Sequence, residues 1–359
     1  MKEIEVVFLK NLLVLYGGKS NEHEVSCISA ANVCENVDIE KYNLYKIGIT
    51  KDGIWWLYNG STESIRNGSW IDDKQNLVPA VISPCTVHHG FITFNKAAHT
   101  YEITYIDVVF PVLHGKNGED GTMQGLLTIA GIPFVGCDTY SSAICMNKTA
   151  SKILSEKFGI KSTPFIPVFK ASRSKANEFI KEAGIKYPVF VKPQSGGSSV
   201  GITKVKTEDK LDAALDIAFI HDDCVIIEEG VTGKEIEVAL FGTPDEVFAS
   251  PCGEIIPGNE FYDYDNKYKE DTAQYFAPAR LDAKISDEVR KQARTVFKAC
   301  GCSGLSRCDF FVNDNGEVLF NEINNIPGFT QISMYGKLLI LAGYSFSSII
   351  DKLIEIALK

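Results

Sequence analysis

What the chain lacks narrows its possible roles first. Its ten cysteines form no CxxC pair and have no neighbouring histidines, and Cys300 and Cys302, separated by one residue, have poor zinc spacing. Free and mostly buried thiols in a reducing cytosol are the expectation. Excess positive charge is missing too, since the net charge is −10, which argues against nucleic acid or an anionic membrane as partner. No apolar run approaches the ~20 residues of a membrane span. The opening MKEIEVVFLKNLLVLYGG is broken by Lys10 and Asn11, is followed by no small-residue cleavage site and runs into a glycine turn. It does not read as a signal peptide, and a cytoplasmic protein is expected. Also absent are GxxxxGK[ST], GxGxxG, internal repeats and low-complexity tracts.

What is present is an ordinary globular composition, 45% hydrophobic and 23% charged, over 359 residues. That length predicts two or three domains. NLLVLYGG (11–18) reads as a strand entering a glycine turn, and the stretch after it as a helix capped by Ser20 or Asn21. YNLYKIGIT (42–50) and IDVVFPVLHG (106–115) are further strands, with GIPFVG (131–136) a short one. Strand, helix and strand in this order predict α/β architecture, with a parallel sheet and sites at the carboxyl ends of its strands. Residues 51–105 look like an insertion. A long helix from about Ser141 to Phe158 is expected to open a second unit, which contains the strand CVIIEE (224–229). A third unit starts near Gly233 and ends in an amphipathic helix. The expected domains are therefore 1–136, 137–232 and 233–359.

Two motifs carry chemistry. In VFVKPQSGGSSVGITKV (189–205) a strand ends on a lysine and proline before a Gly/Ser run, and a second β-branched stretch follows. Successive N–H groups in such a turn make an anion-binding concavity, to which serine hydroxyls add donors. A flexible linker is the alternative, weakened by the strands tight on both sides. In LSRCDFFVNDNGEVLFNEINNIPG (305–328), Asn315-Gly316 between apolar runs predicts a two-residue hairpin turn pairing Asp314 with Glu317. Counting outward places Asp309 opposite Glu322 and Arg307 opposite Asn324, all on one face. Opposed carboxylates repel, and a shared hard divalent cation with substrate phosphates would offset the repulsion. A solvated strand face with alternating charges is the other reading of the hairpin taken alone. Lysine, cover loop and carboxylate hairpin together are parts of a phosphoryl-transfer site.

GGKSNEHEVS (17–26), LHGKNGEDGTMQG (113–125), KPQSGGSSVG (192–201), FYDYDNKY (261–268), RCD (307–309) and NEINNIPGFT (321–330) stand in one order over nearly the whole chain. In this the sequence resembles the D-alanine–D-alanine ligases and their vancomycin-resistance relatives. It departs in Gly196, acidic in some members, and in Asn325, usually threonine. The resemblance implies a three-domain ATP-grasp fold with an N-terminal Rossmann-like parallel-sheet domain. It implies that Lys148, Lys192, Ser199 and, from a closing loop at about 258–277, Lys267 contact the ATP phosphates. Glu228 and Glu235 would take the ribose and adenine side, and Asp309, Glu322 and Asn324 two Mg²⁺ (or Mn²⁺). Glu24 would receive the first D-amino acid's ammonium within a hydrogen-bonded trio with Ser198 and Tyr268, near His114. Ser333 would bind the second substrate's carboxylate beside Met334, and Arg307 with the Gly328 N–H would stabilise the oxyanion.

The activity implied is ATP-driven joining of two D-alanines through an acyl phosphate, for peptidoglycan precursor synthesis. The alternative is D-alanine–D-serine ligation of the resistance type. Lys267-Tyr268 argues against D-lactate, and Met334, where D-serine users tend to carry arginine, favours D-alanine. D-amino acids are the expected partners, and a homodimer the expected assembly. A dinucleotide oxidoreductase would need the missing GxGxxG, and a non-catalytic ATP-binding regulator would be expected to have lost metal ligands that are intact here.

Overall fold

The computed structural model describes residues 9–95, 97–256 and 274–359. The fold is α/β, built on three sheets. The first contains β1 (Lys10–Gly17), β2 (Tyr42–Ile49), β3 (Trp55–Tyr58), β4 (Leu77–Ile82), β5 (Gly90–Asn95), β6 (Thr100–Tyr105) and β7 (Val108–Pro111), in the order β6-β5-β4-β3-β2-β1-β7. Only β2-β1-β7 run parallel, with β1 and β2 joined through the helix His23–Asn36. The expected insertion at 51–105 extends this sheet with antiparallel strands. Of GIPFVG only Phe134 pairs, in a single parallel bridge to Val109.

The second sheet, β10-β9-β11-β8, is antiparallel and formed by β8 (Phe165–Phe169), β9 (Val189–Pro193), β10 (Thr203–Val205) and β11 (Cys224–Glu229). The third consists of β12 (Gly233–Gly242), β13 (Val247–Ala249), β14 (Gly253–Ile256), β15 (Gln274–Phe276), β16 (Gly304–Asn313) and β17 (Val318–Asn324). The long helix expected at 141–158 is two helices, Thr139–Met146 and Lys148–Lys157. Asn147 breaks them, because its extended backbone ends the first helix while its side chain caps the second through the Ala150 N–H at 2.9 Å. The expected caps Ser20 and Asn21 are likewise displaced. Glu22 holds the N-cap position, and the Ser20 hydroxyl donates to the His114 carbonyl at 2.8 Å.

The apolar cores cross the expected domain limits. Cys137, Cys145 and Ile160 belong to the core of the third sheet, together with Phe297 and Phe310. The helices Met334–Leu341 and Phe346–Ala357 return to the first unit, where Leu338, Ile350 and Leu353 share a core with Val14, Tyr16 and Phe110. The cleft therefore lies among elements from both ends of the chain. Among the described residues no helix is long and apolar enough to cross a membrane.

The turn after β1 shows how closely the chain approaches itself there. Gly17 has φ +84, and a Cβ on it would stand 2.2 Å from the Ile49 carbonyl oxygen, a backbone atom that cannot move aside. Gly53 has φ +85 but faces open space. Gly53→Ala should cost about 1–2 kcal/mol, the left-handed penalty alone, and Gly17→Ala more than about 3 kcal/mol. Urea unfolding midpoints compare the two, and equal costs would remove the close-approach argument.

Candidate active site

The hairpin places Asp309 opposite Glu322 and Arg307 opposite Asn324. It does so by a different route from the one counted in the sequence. The loop has three residues, since Asn313 pairs with Glu317 through its N–H at 3.1 Å and Gly316 takes the left-handed conformation at φ +76. Val312 accordingly pairs with Val318 and Phe310 with Phe320, one residue out of the counted register. A bulge at Asn321 then adds one residue to β17 and restores it. On the other side of β16, Glu237 of β12 is also in register with Asp309. Three carboxylates thus stand in one row.

Arg307 holds that row together. Its Nε and Nη2 donate to the two oxygens of Asp309 at 2.7 and 2.6 Å, and Nη2 lies 3.2 Å from Glu237. Burial alone would lower the Arg307 pKa, but Asp309 and Glu237 outweigh it and hold the group well above its ordinary value. Asn324 Nδ2 donates to Asp309 at 3.1 Å, and Lys148 Nζ stands 3.3 Å from Glu322. Among the described residues no three histidine, cysteine or carboxylate side chains come together as an ion site. Arg307 engages both Glu237 and Asp309, so Asp309 would share its carboxylate between Arg307 and an ion held with Glu322 and the Asn324 amide. Two carboxylates and an amide are a hard-oxygen set that fits Mg²⁺ completed by substrate phosphates.

The loop 194–202 lies over this row. Ser198 and Ser199 adopt positive φ, +48 and +58, and line the cavity. The Ser198 hydroxyl donates to Glu22, and this corrects the expectation for Glu24. A Cβ on Gly197 or on Gly115 would lie 2.9 or 2.6 Å from Glu22 Oε2, so these two glycines make room for its carboxylate. Glu24 instead pairs with Lys51, its side chain 59% exposed. Two residues along a helix turn a side chain by about 200°, so Glu22 and Glu24 cannot face one cleft. That geometry was the available signal for Glu22.

The lysines come from both flanks. The Asn147 cap starts a helix at Lys148, whose Nζ donates to the Gly196 carbonyl at 2.5 Å. Lys192, near the end of β9, donates to Glu228 at 2.5 Å. Glu228 also meets Lys152 at 3.1 Å, a fully buried lysine absent from the sequence-based candidates that donates to Thr163 Oγ1 at 2.7 Å. Burial works to raise the Glu228 carboxyl, but Lys152 and Lys192 overcome it and hold it below 4.5. Glu119 was missed as well. It accepts the Gly115 N–H at 2.6 Å, and burial followed by the nearby Glu22 pushes it well above the carboxylate range. Buried His114 is held by the Ile326 carbonyl at 3.0 Å and Ser29 at 3.2 Å, and burial lowers its pKa.

Two cavities meet at Arg307 and Glu322. One, of about 250 Å³, is lined by Glu22, His114, Lys148, Ser198, Gly328, Ser333 and Met334. The other, of about 680 Å³, is lined by Lys192, Glu228, Glu235 and Asp309. Ser199 borders both. The Ser333 hydroxyl is 2.6 Å from Thr330 Oγ1, and Met334 is buried against Gly253. Lys267 and Tyr268, with most of the expected closing loop, lie outside the described residues.

Residues 11–137 match the family model described as D-ala D-ala ligase N-terminus, and residues 154–355 match D-ala D-ala ligase C-terminus. The chain belongs to the D-Ala–D-Ala ligase family. It is similar to D-alanine–D-alanine ligases from Caldicellulosiruptor bescii (45% identical, covering 96% of this chain and 94% of that protein) and Clostridium acetobutylicum (44%, covering 97% and 98%). Among solved structures it is similar to the VanG D-Ala:D-Ser ligase from Enterococcus faecalis, with TM-score 0.90, 43% identity and coverage of 98% of this chain and 100% of that one. The D-alanine–D-alanine ligase from Coxiella burnetii gives TM-score 0.84 at 33% identity, covering 98% and 94%. Membership makes the chain an ATP-dependent ligase with the ATP-grasp fold.

Two measurements probe this geometry. Glu22→Gln should lower turnover by about 100-fold, in the range for loss of one preorganised charged contact, whereas Glu24→Gln should stay close to the parent enzyme. Similar losses in both would undo the assignment. Lys152→Met should cost about 3 kcal/mol, as breaking one partner of a buried charge group does. Because the folded-state pKa of Glu228 is depressed, that deficit is full above about pH 4.5. It narrows as pH falls and Glu228 is protonated, which denaturant unfolding at several pH values reads directly.

Proposed function

We propose that the protein joins two D-alanines to D-alanyl-D-alanine, with cleavage of ATP to ADP and phosphate, for cell-wall precursor synthesis. The observation that carries this reading is the pair of cavities sharing Arg307 and Glu322 as a common wall. The larger suits the nucleotide, with Lys192 toward its phosphates and Glu228 and Glu235 on the ribose and adenine side. The smaller suits two small amino acids. Glu22, fixed by Ser198, receives the first ammonium, and Ser333 the second carboxylate. The first carboxylate attacks the γ-phosphate, ADP leaves, and the second amine then displaces phosphate from the acyl phosphate. Arg307 and the Gly328 N–H face the developing oxyanion. Asp309, Glu322 and Asn324 would hold two Mg²⁺ (or Mn²⁺), which when bound offset charge on the transferring phosphoryl group. Lys148, on the cavity wall beside Glu322, adds positive charge toward the same phosphates.

The similarity to the VanG ligase supports D-serine as a second reading for the incoming amino acid. Met334 weighs against it, because a buried thioether offers a methyl group packing and a hydroxyl no partner. An apolar pocket rejects an added hydroxyl by only ~100-fold, so weak D-serine use is expected. The test is phosphate release from ATP with and without D-alanine, followed by competition at equal D-alanine and D-serine with dipeptides separated by mass. D-Ala–D-Ala should dominate, and Met334→Arg should move the ratio toward serine. D-Ala–D-Ser as the main product overturns the assignment. Glu322→Gln should lower ATP turnover by about 100-fold or more while leaving the unfolding midpoint in place, and near-normal turnover in saturating Mg²⁺ would remove the metal reading.

A further inference from the structure

Behind the smaller cavity lies a group of thiols that the ligation chemistry does not use. Cys137, Cys145, Cys300, Cys302 and Cys308 all belong to the core of the third sheet. Cys145 Sγ is 3.5 Å from Cys302 Sγ. Cys137 lies beside both, its Sγ 3.6 Å from the Ser303 carbonyl and 3.9 Å from Ser306 Oγ. Cysteines are ordinary core fillers, and most of these need no other account. Cys145 differs, because it also lines the cavity that holds Glu22, Lys148 and Glu322. A small oxidant entering the cleft reaches the wall that buried Cys145 helps to form, with a second thiol in contact with that cysteine.

We propose that Cys145 and Cys302 form an oxidation site, at which hydrogen peroxide closes a reversible disulfide that disables the cleft. The Cys145 sulfur attacks one peroxide oxygen while its thiol proton passes to the other, the O–O bond breaks, and water departs from the sulfenic acid now on Cys145. The Cys302 sulfur then attacks the Cys145 sulfur, its proton departing with the hydroxyl as a second water. Two thiols are oxidised by two electrons, and one peroxide is reduced to two waters. A disulfide is ~2.05 Å long, so the sulfurs must close by about 1.5 Å. Cys145 is the penultimate residue of the helix Thr139–Met146, three residues before Lys148. Cys302 stands in the turn leading into β16. Closing that gap would shift the end of this helix or the turn holding Cys302, and a shift of the helix end displaces Lys148 from its contacts with Glu322 and the Gly196 carbonyl. Misplacement of about 1 Å at such a site costs about 100-fold in rate.

The experiment treats the full chain with hydrogen peroxide, digests it under non-reducing conditions and follows ATP turnover in parallel. One cross-linked peptide pair joining Cys145 to Cys302, lighter by two hydrogens, should accumulate as turnover falls about 100-fold, and dithiothreitol should reverse both. Cys302→Ser and, should that variant fold poorly, Cys302→Ala should keep their untreated turnover and resist peroxide. A cross-link between any other pair, or equal peroxide inactivation of the Cys302 variants, overturns the proposal. The turnover readout rests on the ligase reading, whereas the peptide map judges the disulfide even if untreated protein shows no turnover.

Discussion

Three carboxylates on adjacent strands, Glu237, Asp309 and Glu322, share one row across β12, β16 and β17, and the cleft is arranged around their repulsion. In a partly dry site like charges this close are strongly unfavourable unless cations or protons intervene. Arg307 answers two of them from the next position on the same face of β16 and Lys148 the third from a neighbouring helix. Both cations also border the smaller cavity, so the groups that relieve the protein's own charge already face the place where substrate charge would arrive.

A second charge group fixes the opposite wall. Glu228 sits between Lys152 and Lys192, two lysines from different elements, nearly out of solvent. Lys152 comes from a helix packed on β17, while Lys192 and Glu228 come from the second sheet, so the group spans the join between the two sheets. Buried charges of this kind contribute little net stability, but losing one partner is costly. They therefore fix the relative position of the parts more than they strengthen the fold. The last two helices do comparable work through apolar contact, carrying Met334 to the cavity while anchoring in the first unit's core.

Much of this was legible along the chain. The opposed pairs in the hairpin follow from strand periodicity and a turn signal, although two misreadings cancelled: a loop one residue longer than counted, and a bulge at Asn321 that adds the residue back. The bulge carries no sequence mark, because a strand pattern does not show which residue is left unpaired. The break at Asn147 was missed because no glycine or proline interrupts residues 139–157, and one capping side chain is enough to end the first helix there. Glu24 rested on motif position alone, and helical rotation turns it away from the cleft that Glu22 faces.

The sequence by itself determined the family, the α/β order of elements, the phosphate-loop candidate and the carboxylate pair, since each depends on residue types at short fixed spacings. Only the tertiary structure decided that Glu22 meets Ser198 across 176 residues and that Lys152 reaches Glu228. It also decided that Glu237 completes the carboxylate row and that Cys145 touches Cys302. These are contacts between elements far apart in the chain. They arise from how sheets and helices pack on one another, and local periodicity carries no information about which distant face a side chain will meet.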